Sequence, residues 1–244
     1  PPKGANNSKR MKLITGREIF NKQKIYSGQP LKYIDQQKGA GGYTLCKECN
    51  NNTGDWYAKE YNKFANVIGY VMTNEVDLNE AKAMQFCGDN LYLQRVLKQI
   101  LCMFLSTIQP WKLENLKDIQ EYVMNKNETN FNKDKYRIGM YLLKEREISH
   151  SGIMQVLLKR NNTIEIQEIA IMNLYPLGFI LEIFPKGRIS RDLTDITCFA
   201  DLNYNECREF KLTASIDNGK YSLHNFSKKI MDNFKKEGLN EKNY

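Results

Sequence analysis

In the stretch Leu93–Ile108, LQRVLKQILCMFLSTI, the residues Leu93, Val96, Leu97, Ile100, Leu101, Phe104 and Ile108 recur at spacings of three and four. That period lines them along one broad apolar stripe of a helix, and Pro110 closes it because proline has no amide to donate and cannot continue the turn. Cys102 and Met103 widen the stripe, so Cys102 reads as a small buried hydrophobe. A shorter helix is expected around Leu116–Met124. Beyond the Asn-rich turn at 125–133 the period drops to two: Tyr136, Ile138, Met140 and Leu142 alternate, as do Ile164 with Ile166, Phe179 with Leu181 and Ile183, and Phe210 with Leu212, Ala214 and Ile216. Each run has strand length and is bounded by Gly, Pro or Asn. Helices followed by such runs imply an α+β domain, two or three helices on a mostly antiparallel sheet. Phe226, Ile230 and Phe234 then mark a last amphipathic helix.

Upstream the organisation differs. Tyr57, Tyr61, Phe64 and Ile68 share one helix face, with Thr53 or Asp55 as the expected N-cap and Gly69 as the expected end. Residues 74–80, NEVDLNE, are polar and acidic and read as a joint, giving a small module at 1–73 and the larger domain at 81–244. Residues 1–45 carry glycines at 4, 16, 28, 39, 41 and 42 and read as loop, with one short helix around Arg17–Gln23.

The 244 residues, 41% of them hydrophobic, can bury a sizeable core, and their formal charge is +8. Residues 1–50 hold ten bases (Lys3, Lys9, Arg10, Lys12, Arg17, Lys22, Lys24, Lys32, Lys38, Lys47) against Glu18, Asp35 and Glu48, so ten minus three, or +7, sits in this arm. A basic cluster of that density is a footprint for polyanions, with DNA the expected partner, although a solvated arm of AT-rich coding bias has the same composition. No apolar run is long enough for a membrane span and the N-terminus lacks the order of a signal peptide, so a cytoplasmic location is expected and a membrane partner is not.

Six cysteines are too few for a disulfide scaffold in a chain this long. Only Cys46 and Cys49, in Gly41–Gly54, GGYTLCKECNNNTG, have metal-ligand spacing. Two thiolates two residues apart can turn toward one cation, but zinc takes four ligands, so the pair is half a site. The two histidines, His150 and His224, lie far downstream.

The order Cys46-Lys47-Glu48-Cys49-Asn50-Asn51-Asn52-Thr53-Gly54, running into a helix, resembles the C-terminal half of the ββα-metal module of HNH endonucleases, and Pro1-Pro2-Lys3-Gly4 resembles the segment that follows the catalytic histidine in one branch of that family. The resemblance covers about residues 1–72. It implies that Cys46 and Cys49 are the second pair of a structural zinc site, that Asn50 ligates the catalytic divalent cation (Mg or Mn), and that Thr53-Gly54 shapes the helix entry. The first cysteine pair and the general-base histidine are then expected just before Pro1, since residues 1–149 hold no histidine. In such a site a histidine takes a proton from the attacking water while the cation stabilises charge on the phosphate. Lys3, Lys9, Arg10, Lys12, Arg17 and Lys47 would contact nucleic acid. The implied function is metal-dependent DNA cleavage, in restriction or anti-phage defence, with a second copy bound through the C-terminal domain as a further candidate partner. The alternative is a nuclease-inactive zinc module that binds DNA or a protein.

Other groupings read structurally. Arg188-Ile189-Ser190-Arg191-Asp192-Leu193-Thr194-Asp195 is expected to make turns and internal pairs. His150, between Ser149 and Ser151, lacks the context of a nucleophile elbow. Trp56 and Trp111 are expected in packing, and Cys198 and Cys207 as core thiols.

Overall fold

The structure is a computed structural model that describes residues 11–13, 34–36, 47–74, 81–144, 147–160, 163–217 and 219–221. The chain forms two units, one of residues 42–218 and one of residues 1–41 with 219–244. In the latter, the three-residue strands β1 (Met11–Leu13) and β2 (Ile34–Gln36) pair antiparallel, with Lys12 opposite Asp35. The short helix expected at Arg17–Gln23 and the amphipathic helix expected at 226–234 lie outside the described residues.

The larger unit runs α1 (Lys47–Asn74), β3 (Ala83–Leu91), α2 (Leu93–Thr107), a 3₁₀ helix (Pro110–Leu116), α3 (Lys117–Met124), β4 (Tyr136–Leu143), β5 (Ile148–Arg160), β6 (Thr163–Leu174), β7 (Leu177–Ile183), β8 (Thr194–Asp195), a second 3₁₀ helix (Thr197–Asp201) and β9 (Arg208–Asp217). Its seven-stranded sheet has the order β3-β9-β4-β7-β6-β5, with β8 beside β4. Every pairing is antiparallel except β4 with β9, where Leu142 meets Ile216. The class is therefore α+β.

Alternation decides what each strand buries. Ile138, Met140 and Leu142 of β4, Ala170 and Met172 of β6, Phe179 and Leu181 of β7, and Phe210 and Ala214 of β9 join the apolar stripe of α2 in one core. α2 fills this role as its sequence demands, with Val96, Leu97, Ile100, Leu101 and Phe104 all buried. Asp118 on α3 is tied to β4: the Tyr136 hydroxyl donates to its Oδ1 at 2.6 Å and Lys135 Nζ reaches its Oδ2 at 3.0 Å.

α1 corrects the expected domain boundary. Its Tyr57, Tyr61, Phe64 and Ile68 belong to the same core as the sheet rather than to a separate module ending at 73. The Phe64 ring lies 5.5 Å from Phe210 of β9, and Tyr61 lies 6.3 Å from Phe179 of β7. The division of the chain also sets α1 in one unit and the β1–β2 pair in the other, across the expected 1–73 module. The acidic 74–80 stretch joins two elements of one core, since β3 follows it and pairs with β9 from Ala83↔Ser215 onward. The helix bounds differ as well: α1 begins at Lys47 and continues past Gly69 to Asn74. Thr53 is no cap; it is buried inside the helix and its hydroxyl donates back to the Cys49 carbonyl at 2.9 Å, so Thr53-Gly54 lies beyond the helix entry.

Candidate functional site

The candidate site is the start of α1. Lys47, Glu48, Cys49 and Asn50 open the helix, and Glu48 there complements the positive end of its dipole. Cys49 is partly exposed, and Glu48 and Asn50 are exposed. Cys46 immediately precedes the helix and lies outside the described residues.

This end of α1 is held firmly from below. The Tyr57 hydroxyl donates to the Val123 carbonyl at the end of α3 at 2.7 Å, and burial pushes that hydroxyl's pKa up. Trp56 packs edge-on against Tyr57 at 5.9 Å, and the Tyr204 hydroxyl reaches the Trp56 carbonyl at 3.4 Å. Trp56 thus packs as expected. Beneath lies Cys102, bonded with Thr53; burial pushes its thiol up to about 12, against the weaker pull of Thr53 and Lys98, so it stays protonated at neutral pH. Zinc binds thiolate, and Cys102 is a core thiol as its place in the stripe implied.

The metal set is not completed among the described residues, where no three His, Cys, Asp or Glu side chains converge. Cys49 is their one contribution to the expected zinc ligands. Cys198 and Cys207, expected in the core, are instead exposed; Cys207 Sγ lies 3.9 Å from Asn90 Oδ1, and the Cys198 thiol is raised by partial burial and by Asp195 and Asp201. Cys87 is exposed on β3, opposite Lys211 of β9. Of the expected nucleic-acid contacts, Lys3, Lys9, Arg10 and Arg17 lie outside the described residues. Lys12 is a position on β1 and Lys47 the first residue of α1.

Sequence reasoning missed the deepest polar groups. Lys98 on α2 is fully buried and donates to the carbonyls of Asn125, Lys126 and Glu128 at 2.8, 3.2 and 2.8 Å, with its ammonium 4.3 Å from the centre of the Tyr122 ring. Gln94, one turn earlier, donates to the same Glu128 carbonyl at 3.2 Å. The signal was present: two polar residues four apart on an otherwise apolar helix need a polar target on that side. A second network joins Tyr141, Asn173, Ser149 and Glu147. Tyr141 donates to the Asn173 carbonyl oxygen, and the Asn173 amide donates to Glu147 at 3.0 Å and Ser149 at 3.1 Å. Ser149 pairs with Asn173 and His150 with Met172, so Ser149 and His150 point to opposite faces of the sheet and make no catalytic pair. In the 188–195 loop the expected turns are present: Leu193 N–H donates to the Ser190 carbonyl at 3.0 Å, and Asp195 accepts from the Thr197 amide at 2.9 Å. Trp111, expected in packing, is 76% exposed.

Among the described residues no helix is long and apolar enough to cross a membrane. Compared with known proteins, the chain matches no protein-family model, no curated protein and no solved structure.

Proposed function

We propose that this chain belongs to a metal-dependent DNA endonuclease of HNH type, acting in the cytoplasm in restriction or anti-phage defence. The observation that carries the reading is the Cys46-x-x-Cys49-Asn50 order at the very start of a helix. Cys49 and Asn50 stand on a turn whose continuation is bolted to α3 and to Tyr204, a rigid platform of the kind a metal-binding turn needs. On this reading Cys46 and Cys49 hold zinc, Asn50 serves Mg or Mn, and the basic residues Lys3, Lys9, Arg10, Lys12, Arg17 and Lys47 track phosphates. The described residues do not by themselves complete either metal site. On this reading the general base is a histidine outside residues 1–149, which contain none.

That lack favours a second reading, a nuclease-inactive zinc module that binds DNA or a protein. Elemental analysis of the full gene product, beside a Cys46→Ser/Cys49→Ser variant checked for folding by circular dichroism, tests what both share. One zinc per chain that disappears in the variant is expected, and a zinc-free protein overturns both. Plasmid nicking that depends on Mg²⁺ or Mn²⁺ selects the endonuclease. Zinc with DNA binding that weakens steeply with salt, and no nicking, selects the binder.

A further inference from the structure

Large apolar side chains stand in solvent at one end of the sheet. Strand β6 pairs with β7 only from Glu168, so Ile164 and Ile166 run on beyond it, and strand alternation puts them on the α2 side with Glu168, Ala170 and Met172. Leu157 of β5 lies opposite Ile166. Ile164, Ile166 and Leu157 are 72%, 53% and 71% exposed. The first 3₁₀ helix borders them: Lys112 Nζ lies 3.6 Å from Glu168 Oε1, and its neighbour Trp111 is 76% exposed. Phe184 follows Ile183, the partner of Glu168 on β7, and is 60% exposed.

The two rings are held in place. Gln109 Oε1 accepts the Ile153 amide at 3.1 Å, and Gln120 Nε2 donates to the Leu113 carbonyl at 3.0 Å, so the 3₁₀ helix that carries Trp111 is fastened to β5 and to α3. Phe184 has a φ of 50°, and its amide donates to the Lys135 carbonyl at 2.7 Å. A residue of this bulk rarely takes that conformation, and such strain collects at sites of function. The fold's own core makes no use of the ring.

We propose that this patch binds the same patch on a second copy of the chain, closing a two-fold dimer. The charged rim selects that occupant. Residues three apart in a 3₁₀ helix lie one above another, so Trp111 and Glu114 form a row that Lys117 continues. The rim thus holds Lys117 beside Glu114 at 3.4 Å and Lys112 beside Glu168, two bases and two acids. A balanced rim gives a polyanion or an anionic lipid surface nothing to choose, whereas a second copy brings an acid for each base. Area agrees. The two rings alone expose about 300 Å², against about 800 Å² that each partner buries in a stable complex, and the aliphatic trio and the rim supply the rest. Isologous closure covers both patches and leaves none open. The inference goes beyond the endonuclease reading and does not rest on it, since no residue of α1 takes part.

Sedimentation of the full chain across a micromolar concentration series tests it. The parent chain is expected to dimerise and Leu157→Asp to be monomeric, while Ile148→Asp, at the far end of β5, dimerises like the parent. Phe184→Gly removes the ring and relieves its backbone, so it should keep the fold and raise the dissociation constant about tenfold. Circular dichroism of each variant separates loss of the dimer from loss of the fold. For the occupant, Lys117→Glu and Glu114→Lys each set like charges against each other across the two-fold axis, and each is expected to weaken the dimer about tenfold. Mixed in equal amounts they should associate again, because an acidic rim then meets a basic one. A parent chain that is monomeric throughout, a dimer that neither Leu157→Asp nor Phe184→Gly weakens, or one that Ile148→Asp weakens as much as Leu157→Asp overturns the proposal. So does a mixture of the two charge variants that associates no better than either alone.

Discussion

Lys98 Nζ donates to the Glu128 carbonyl oxygen at 2.8 Å across 30 residues of sequence, and with Asn125 and Lys126 it stitches α2 to the turn that follows α3. An ammonium has three hydrogens, and three carbonyls accept them. Lys98→Met keeps the length of the side chain but removes all three donors, so it is expected to destabilise the fold by about 2 kcal/mol in urea unfolding. Loss below half of that would mean water replaces the amine without cost.

The same amine makes the stability depend on pH. Burial is the largest effect and lowers its pKa to about 8, against the nearby Glu128 carboxylate, while the unfolded chain keeps the ordinary 10.5. Between those values the unfolded state holds the proton and the native state does not. Stability from this group is therefore complete above 10.5 and falls as pH drops toward 8. The gap in unfolding free energy between the parent chain and Lys98→Met should widen from pH 7 to pH 10, and a gap that narrows would reverse the sign of this linkage.

Tyr57 decides whether α1 is part of the sheet domain. Its hydroxyl donates to Val123, 66 residues away in sequence, and its ring is fully buried. Tyr57→Phe leaves a buried carbonyl without that donor and should cost about 1–2 kcal/mol of global stability. Because α1 shares the core, Trp56 fluorescence and the circular dichroism of the sheet should lose their native signals at one urea midpoint in both proteins. Two separated midpoints would restore an independent N-terminal module.

What the sequence revealed follows from how strongly each element is buried. α2, β4, β7 and β9 were legible because each sets a row of large apolar residues at one period, and the core takes that whole row. β3 was not, since only Met84 and Phe86 of its first residues turn inward between exposed Ala83, Gln85 and Cys87. β5 was not, because an edge strand half-exposed on both faces has no alternation to read. The α1 stripe was read correctly, but periodicity identifies a face and not the surface it meets, so its docking on Phe179 and Phe210 was invisible. At the candidate site the cysteine spacing was legible, while the burial of Thr53 and the exposure of Cys198 and Cys207 depend on contacts distant in sequence.

The cysteines divide by chemistry as well as position. Cys102 is buried and protonated, whereas Cys87 and Cys207 are exposed. A thiol reagent applied to the native protein at neutral pH, with modified positions mapped by mass spectrometry, should label Cys87 and Cys207 at least about a hundredfold faster than Cys102. Addition of denaturant should remove the difference. Fast labelling of native Cys102 would mean that α2 and Thr53 of α1 do not enclose it.

The Tyr141 ring of β4 covers the backbone of Gly178 on β7, its cross-strand partner. A Cβ at 178 would fall inside that ring, and the ring cannot swing aside because it is fully buried and its hydroxyl is committed to Asn173. Gly178→Ala should therefore destabilise the protein by about 1–3 kcal/mol, or more if β4 and β7 must part. The three atoms nearest to such a Cβ all belong to that ring, so Tyr141→Ala should turn the same glycine substitution nearly neutral. A double-mutant cycle in urea measures this coupling, and additive costs would show that something other than Tyr141 demands glycine there.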